Sequence, residues 1–135
     1  MNDADVNEGM ALLQAAARDE VDTIIALLDG GADINAQDEQ GMTALMHAVK
    51  AGHTETVRAL LARGAEANIK GKYLGYEAIV FAVKAGNAEV VELLLRNGVD
   101  GKSPGATFAL GVAKLMGNAR VVELLQKAAM GGPPS

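Results

Sequence analysis

The sequence predicts an all-α solenoid of four stacked helix–turn–helix pairs. A motif recurs at a near-constant period, the apolar positions inside each copy fall at helical spacing, and glycines close the segments. From Gly41 the chain reads GMTALMHAVKAGHTETVRALLARGAEAN, and from Gly75 it reads GYEAIVFAVKAGNAEVVELLLRNGVD. An earlier copy starts at Met10 and a later one at Ala106. Leu12, Leu45, Ile79 and Leu110 are therefore equivalent, 33, 34 and 31 residues apart.

Taken in order, residues 1–8 are expected as a flexible tail, followed by repeats at 9–40, 41–73, 74–105 and 106–130 and a second tail at 131–135. In the second repeat Thr43 caps a helix whose buried face is Leu45, Ala48 and Val49. Gly52 ends that helix, because a residue without Cβ reaches the left-handed conformation at low cost. The next helix buries Val57, Leu60 and Leu61 and stops at Gly64. The third repeat follows the same plan with Ile79, Ala82 and Val83, then Val91, Leu94 and Leu95, with stops at Gly86 and Gly98. One such pair cannot bury its own apolar face, whereas stacked pairs can. The links Asn35–Gly41 and Asn68–Gly75 are polar, and Asp38-Glu39-Gln40-Gly41 suits a β-turn, so they project as finger-like loops.

Composition agrees. Half the residues are hydrophobic but only 3% are aromatic, which suits close helix packing on Ala, Leu and Val. Without Cys, disulfides and thiolate metal sites are excluded. No basic, apolar start resembles a leader and no run suits a membrane span, so a cytoplasmic protein away from membranes is expected. Residues 1–40 hold ten acids and one base (−9), and residues 41–135 hold seven acids and eleven bases (+4), which sums to the net charge of −5. That balance argues against nucleic-acid binding.

Features that could suggest chemistry have simpler readings. Gly98-Val99-Asp100-Gly101-Lys102-Ser103 has only two residues between its glycines and follows a helix, so it is read as a loop rather than a phosphate cradle. His47 and His53 are the only histidines, too few for a metal site. Ser103 and Ser135 have no histidine nearby in sequence. No catalytic residue, metal ligand or cofactor is expected, and the chain is not read as an enzyme.

The repeat resembles the ankyrin family, whose pattern is G-x-T-P-L-H-x-A-A-x-x-G-H, a V–LL helix, then G-A-D-V-N. Gly41, Thr43, Leu45, Ala48, Gly52, His53, Val57, Leu60, Leu61, Gly64, Ala65 and Asn68 fall on it, and Gly31–Asn35 matches the closing segment. Departures are Ala44 and Met46 for the Pro and His, Glu77 for the capping Thr, and Asp19-Glu20 for Gly-His. The resemblance implies a protein–protein interaction module, an adaptor or inhibitor, that docks partners on its fingers and on the concave face of its first helices. Carried over by position, the binding residues are Glu39, Gln40, Met42, His47, Lys50, Lys72, Tyr73, Tyr76, Phe81 and Lys84, with Met46, Val80 and Lys70 beside them. Lys50 and Lys84 are equivalent and should align, giving a basic, aromatic-flanked groove in repeats two and three suited to a partner protein with an acidic segment. The alternative is a structural subunit that self-associates through Met42, Met46 and Leu74, although a monomer is expected.

Overall fold

The computed structural model describes the backbone of residues 3–72 and 75–131, and the side chains within them from residue 7 onward. Eight helices and no strand occur among the described residues: α1 Asp3–Ala17, α2 Val21–Asp29, α3 Ala44–Ala51, α4 Thr54–Ala62, α5 Ala78–Lys84, α6 Ala88–Arg96, α7 Pro104–Met116 and α8 Ala119–Ala129. They form four antiparallel pairs. The first helices α1, α3, α5 and α7 stack as an inner layer, and α2, α4, α6 and α8 stack as an outer one. The substantial contacts run within a pair or between adjacent pairs, as a solenoid requires.

The equivalent positions make the seam of the stack. Leu12, Leu45 and Ile79 are completely or almost completely buried, as are Val57, Leu60, Val91 and Leu94 of the outer layer. Leu110 is only partly buried, since no described repeat lies beyond it. Ala15, Ala16, Ala48, Ala82 and Ala113 are buried between neighbouring inner helices, where their size lets the backbones approach.

The expected caps and stops hold. The Thr43 hydroxyl accepts from the Met46 amide at 3.2 Å, and Gly52, Gly64, Gly86 and Gly98 all take positive φ. Glu77 stands at the N-cap of α5 without a capping hydrogen bond. The Gly41 amide donates to the Asp38 carbonyl at 2.9 Å, closing the expected turn. Gly41 itself is required twice over. Its φ is +77°, and a Cβ there would lie 2.6 Å from the Lys72 backbone nitrogen, which donates to the Gln40 carbonyl of the neighbouring finger.

Polar ties between pairs recur around the stack. The Glu66 amide donates to Asn35 at 2.9 Å, Asn68 donates to the Gly98 carbonyl at 3.2 Å, and His53 Nε2 donates to the Ala17 carbonyl at 3.0 Å. Asp19, one of the departures from the family pattern, occupies the glycine position of its turn at φ +62° and accepts from the buried Thr56 hydroxyl at 2.6 Å. Asp tolerates that conformation better than most side chains.

The two end repeats depart from the boundaries expected above. Residues 3–8, taken as tail, belong to α1, and α7 opens at Pro104 rather than near Ala106. Ser103 caps α7 by accepting from the Ala106 amide at 3.1 Å, and Pro104 follows at its first turn, where a missing N–H costs nothing. Helix therefore replaces the finger in front of the fourth repeat.

Candidate partner-binding face

The inner layer turns one stripe of each helix to solvent, and its makeup changes along the stack. In α3 that stripe holds half-buried His47 and exposed Lys50, and in α5 half-buried Phe81 and exposed Lys84. Lys50 and Lys84 each stand near the end of their helix, where a cation suits the C-terminal dipole. They occupy equivalent positions, as their spacing predicted.

Tyr76, Phe81 and Lys84 come together as expected. The Tyr76 and Phe81 rings meet edge to face with centroids 5.9 Å apart, and the Lys84 ammonium lies 5.2 Å from the Tyr76 ring centroid. A fourth member was not anticipated. Phe108 of α7 lies 5.5 Å from Tyr76, centroid to centroid, and is 48% exposed. Its signal in the sequence was the apolar series Phe108, Val112, Leu115 and Met116, which exceeds what the buried face of α7 needs. Leu115, 31 residues after Lys84, takes the register of the two lysines and is 90% exposed, and Met116 is 50% exposed.

Other expected members are placed differently. Met42, in the finger ahead of α3, is 8% exposed, and Met46 and Val80, on α3 and α5, only 1%, because neighbouring repeats cover them. These three are core residues and offer no surface to a partner. Glu39 and Gln40 are exposed at the finger turn, and exposed Lys72 is joined to Gln40 by the backbone bond described above. Tyr73 and Leu74 lie outside the described residues. His47 is engaged with the finger that leads into its helix, with Nε2 2.9 Å from Asp38 Oδ2. Asp38 also accepts from the Gln40 and Met42 amides, each at 2.9 Å. Burial works to raise the Asp38 carboxyl, but the His47 hydrogen bond, the two amides and the His47 charge outweigh it and hold it below the usual aspartate value.

Charge pairing divides the molecule. On the outer layer Arg58 pairs with Glu55 and Glu89, Arg63 with Asp29 at 2.6 Å, Arg96 with Glu92 at 2.9 Å, and Lys127 with Glu123 at 3.5 Å. Lys50, Lys70, Lys72 and Lys84 form no ion pair with a described residue. Glu77, the acid beside the aromatic cluster in sequence, is 4% exposed and directed at Gly105, so it does not present its charge at this surface. Burial pushes its carboxyl above the ordinary glutamate range, and the Lys70 charge offsets part of that rise.

No group of three or more potential metal-ligating side chains occurs among the described residues, and none of their helices is long and apolar enough to cross a membrane. What the face offers is hydrogen-bond donors, positive charge and aromatic and aliphatic area.

A family model for ankyrin repeats (3 copies) matches residues 1–71, and a single ankyrin-repeat model matches residues 75–104. The second match ends at residue 104, where α7 begins and the finger gives way to helix. Among curated proteins, the probable E3 ubiquitin-protein ligase XBOS33 of Oryza sativa is 49% identical over 47 residues, 35% of this chain and 9% of that protein. The human mitochondrial disaggregase is 41% identical over 63 residues, 47% of this chain and 9% of that protein. The human 2-5A-dependent ribonuclease is 36% identical over 70 residues, 51% of this chain and 9% of that protein. The matched segment thus spans less than a tenth of each of these relatives.

Proposed function

Because the chain belongs to the ankyrin-repeat family, whose repeats generally serve as protein–protein interaction modules, we propose that it binds a partner protein along its inner helices and fingers, as an adaptor or inhibitor. One observation carries the reading. Lys50 and Lys84 stand at equivalent, exposed positions of α3 and α5 without an ion pair to any described residue, beside the Tyr76–Phe81 ring pair. A positive field that the fold leaves uncompensated attracts an acidic segment, and neighbouring aromatic area supplies contact energy once it arrives.

Of the residues considered for self-association, Met42 and Met46 are buried, which favours the partner-binding reading over a self-associating subunit. The enzymatic names among the relatives belong to proteins of which this chain covers about a tenth, and so do not carry over to it.

The test is a charge reversal that spares the core. Lys50→Glu with Lys84→Glu should leave the melting temperature within a few degrees of wild type and reduce capture of cellular partners by about tenfold or more. Undiminished capture by a folded variant refutes the basic inner face as the docking surface.

A further inference from the structure

Resting on the partner-binding reading above, we propose that the anchor of the contact is the apolar inner stripe of α7, and that it takes a partner segment in which large aliphatic or aromatic side chains stand next to Asp or Glu.

Five large hydrophobic side chains are exposed among the described residues: Met10, Phe108, Leu115, Met116 and Met130. Three of them belong to α7. Single exposed apolar residues are ordinary on a protein surface. Here Phe108 and Leu115, with partly buried Val112 between them, follow helical spacing along one side of α7, and Met116 flanks them. Leu115 is close to the exposure of an unfolded chain, so covering it recovers most of what burying a leucine offers.

This stripe is continuous with the charged part of the face. Phe108 touches Tyr76, and Tyr76 carries the Lys84 ammonium over its ring. Moving from α3 to α7, position by position, the surface runs Lys50, then Lys84 with the two rings, then Leu115 and Met116. A complementary ligand must change in the same order, with acids facing α3 and α5 and apolar side chains facing α7. A nucleic acid would satisfy the lysines and leave Leu115 and Met116 in water. A purely apolar ligand would leave the lysines uncompensated. A protein segment that joins the two chemistries matches both.

The probe is a random displayed peptide library selected on the full chain. Selection on wild type should enrich peptides that place Leu, Ile, Met or aromatic residues beside Asp or Glu. On Leu115→Ser with Met116→Ser, both exposed positions where folding is not at stake, acid enrichment should persist, apolar enrichment should vanish, and a wild-type-selected peptide should bind about tenfold or more weakly. On Lys50→Ser with Lys84→Ser the acid preference should vanish and the apolar one persist. Apolar enrichment that survives the α7 variant, or is missing from wild type while acids are enriched, overturns the anchor and leaves the basic face standing. Loss of acid enrichment on wild type overturns the basic face itself. Two further measurements test other occupants. Sedimentation of the chain alone that shows self-association abolished by Leu115→Ser assigns the stripe to a second copy. Cosedimentation with phosphatidylserine vesicles that needs Leu115 assigns it to a lipid surface. Either result overturns the proposal.

Discussion

The outer and inner layers are built from the same helix pairs, yet they treat charge in opposite ways. Along the outer layer, arginines meet acids both within a helix and across repeats, as Arg58 meets Glu89 of α6 and Arg63 meets Asp29 of α2. Along the inner layer, Lys50 and Lys84 pair with no acid among the described residues. A fork-shaped guanidinium bound by a carboxylate is spent on the fold, whereas a flexible lysine left alone keeps its field for something else. The difference teaches that the solenoid has a surface that registers its own repeats and a surface that remains available.

Beneath both layers lies one seam, and the largest predicted effect tests whether it is shared. Leu45→Ala on α3 and Leu60→Ala on α4 should each cost about 2–5 kcal/mol in denaturant unfolding, since both side chains are fully or almost fully buried. Similar costs mean that the layers differ only at their surfaces. A cost below about 1 kcal/mol for Leu45 alone would make the inner layer soft as well as charged, and so break the comparison.

Glu77, at the start of α5, is an acid kept but hidden, and the next effect is about its junction with α7. A Cβ on Gly105 would lie 2.6 Å from Glu77 Oε1, so Gly105→Ala should destabilise the wild type by about 1–3 kcal/mol. In a Glu77→Thr background the same change should be neutral or stabilising, because Ala favours helix and the obstructing carboxylate is gone. Glu77→Thr alone should add about 1 kcal/mol at pH 7 by restoring a cap to α5. The sign with pH follows from the raised carboxyl. The folded state holds its proton more firmly than the unfolded chain, so the stability from Glu77 is complete below the usual value of 4.5 and declines as pH rises from there through the raised folded value. Asp38 has the opposite sign. Its contribution is complete above 3.8 and is lost as pH falls through the lowered folded value. Urea unfolding of wild type, Glu77→Thr and Asp38→Asn across this acid range separates the two, and identical pH profiles would contradict both assignments.

Much of this was legible in the residues. Period, spacing and glycine stops gave the helix pairs, and Thr43, Gly52 and the turn at Asp38–Gly41 behave as their chemistry requires. Burial was harder to read, because the exposure of Met42 in its finger and of Met46 and Val80 on their helices depends on the next repeat, and a repeat read by itself does not show its neighbour. Phe108 and Leu115 were missed because an apolar residue in a helical series reads as core, although Leu115 shares the register of Lys50 and Lys84, which the inner layer turns to solvent. The longer α7 was missed because the fourth repeat was placed from residue 106 and Gly98–Ser103 read as a loop, although Ser103-Pro104 is itself a helix-opening pair.

The smallest stability effects sharpen the comparison most. Arg58→Ala removes pairs to Glu55 and Glu89 on a half-exposed surface, so it should lower stability by no more than about 1 kcal/mol, and salt should shrink that cost further. Lys50→Ala removes no described pair and should change stability by less than about 0.5 kcal/mol, with no salt dependence. In partner binding the order inverts, because the charge that does least for the fold is the one the partner meets. Lys50→Ala should slow association most at low salt and little at high salt, while Arg58→Ala leaves association unchanged. Measured association rates in which Arg58→Ala is the more damaging change would mean that the outer layer carries the contact, and the division between a registering face and an available one would have to be redrawn.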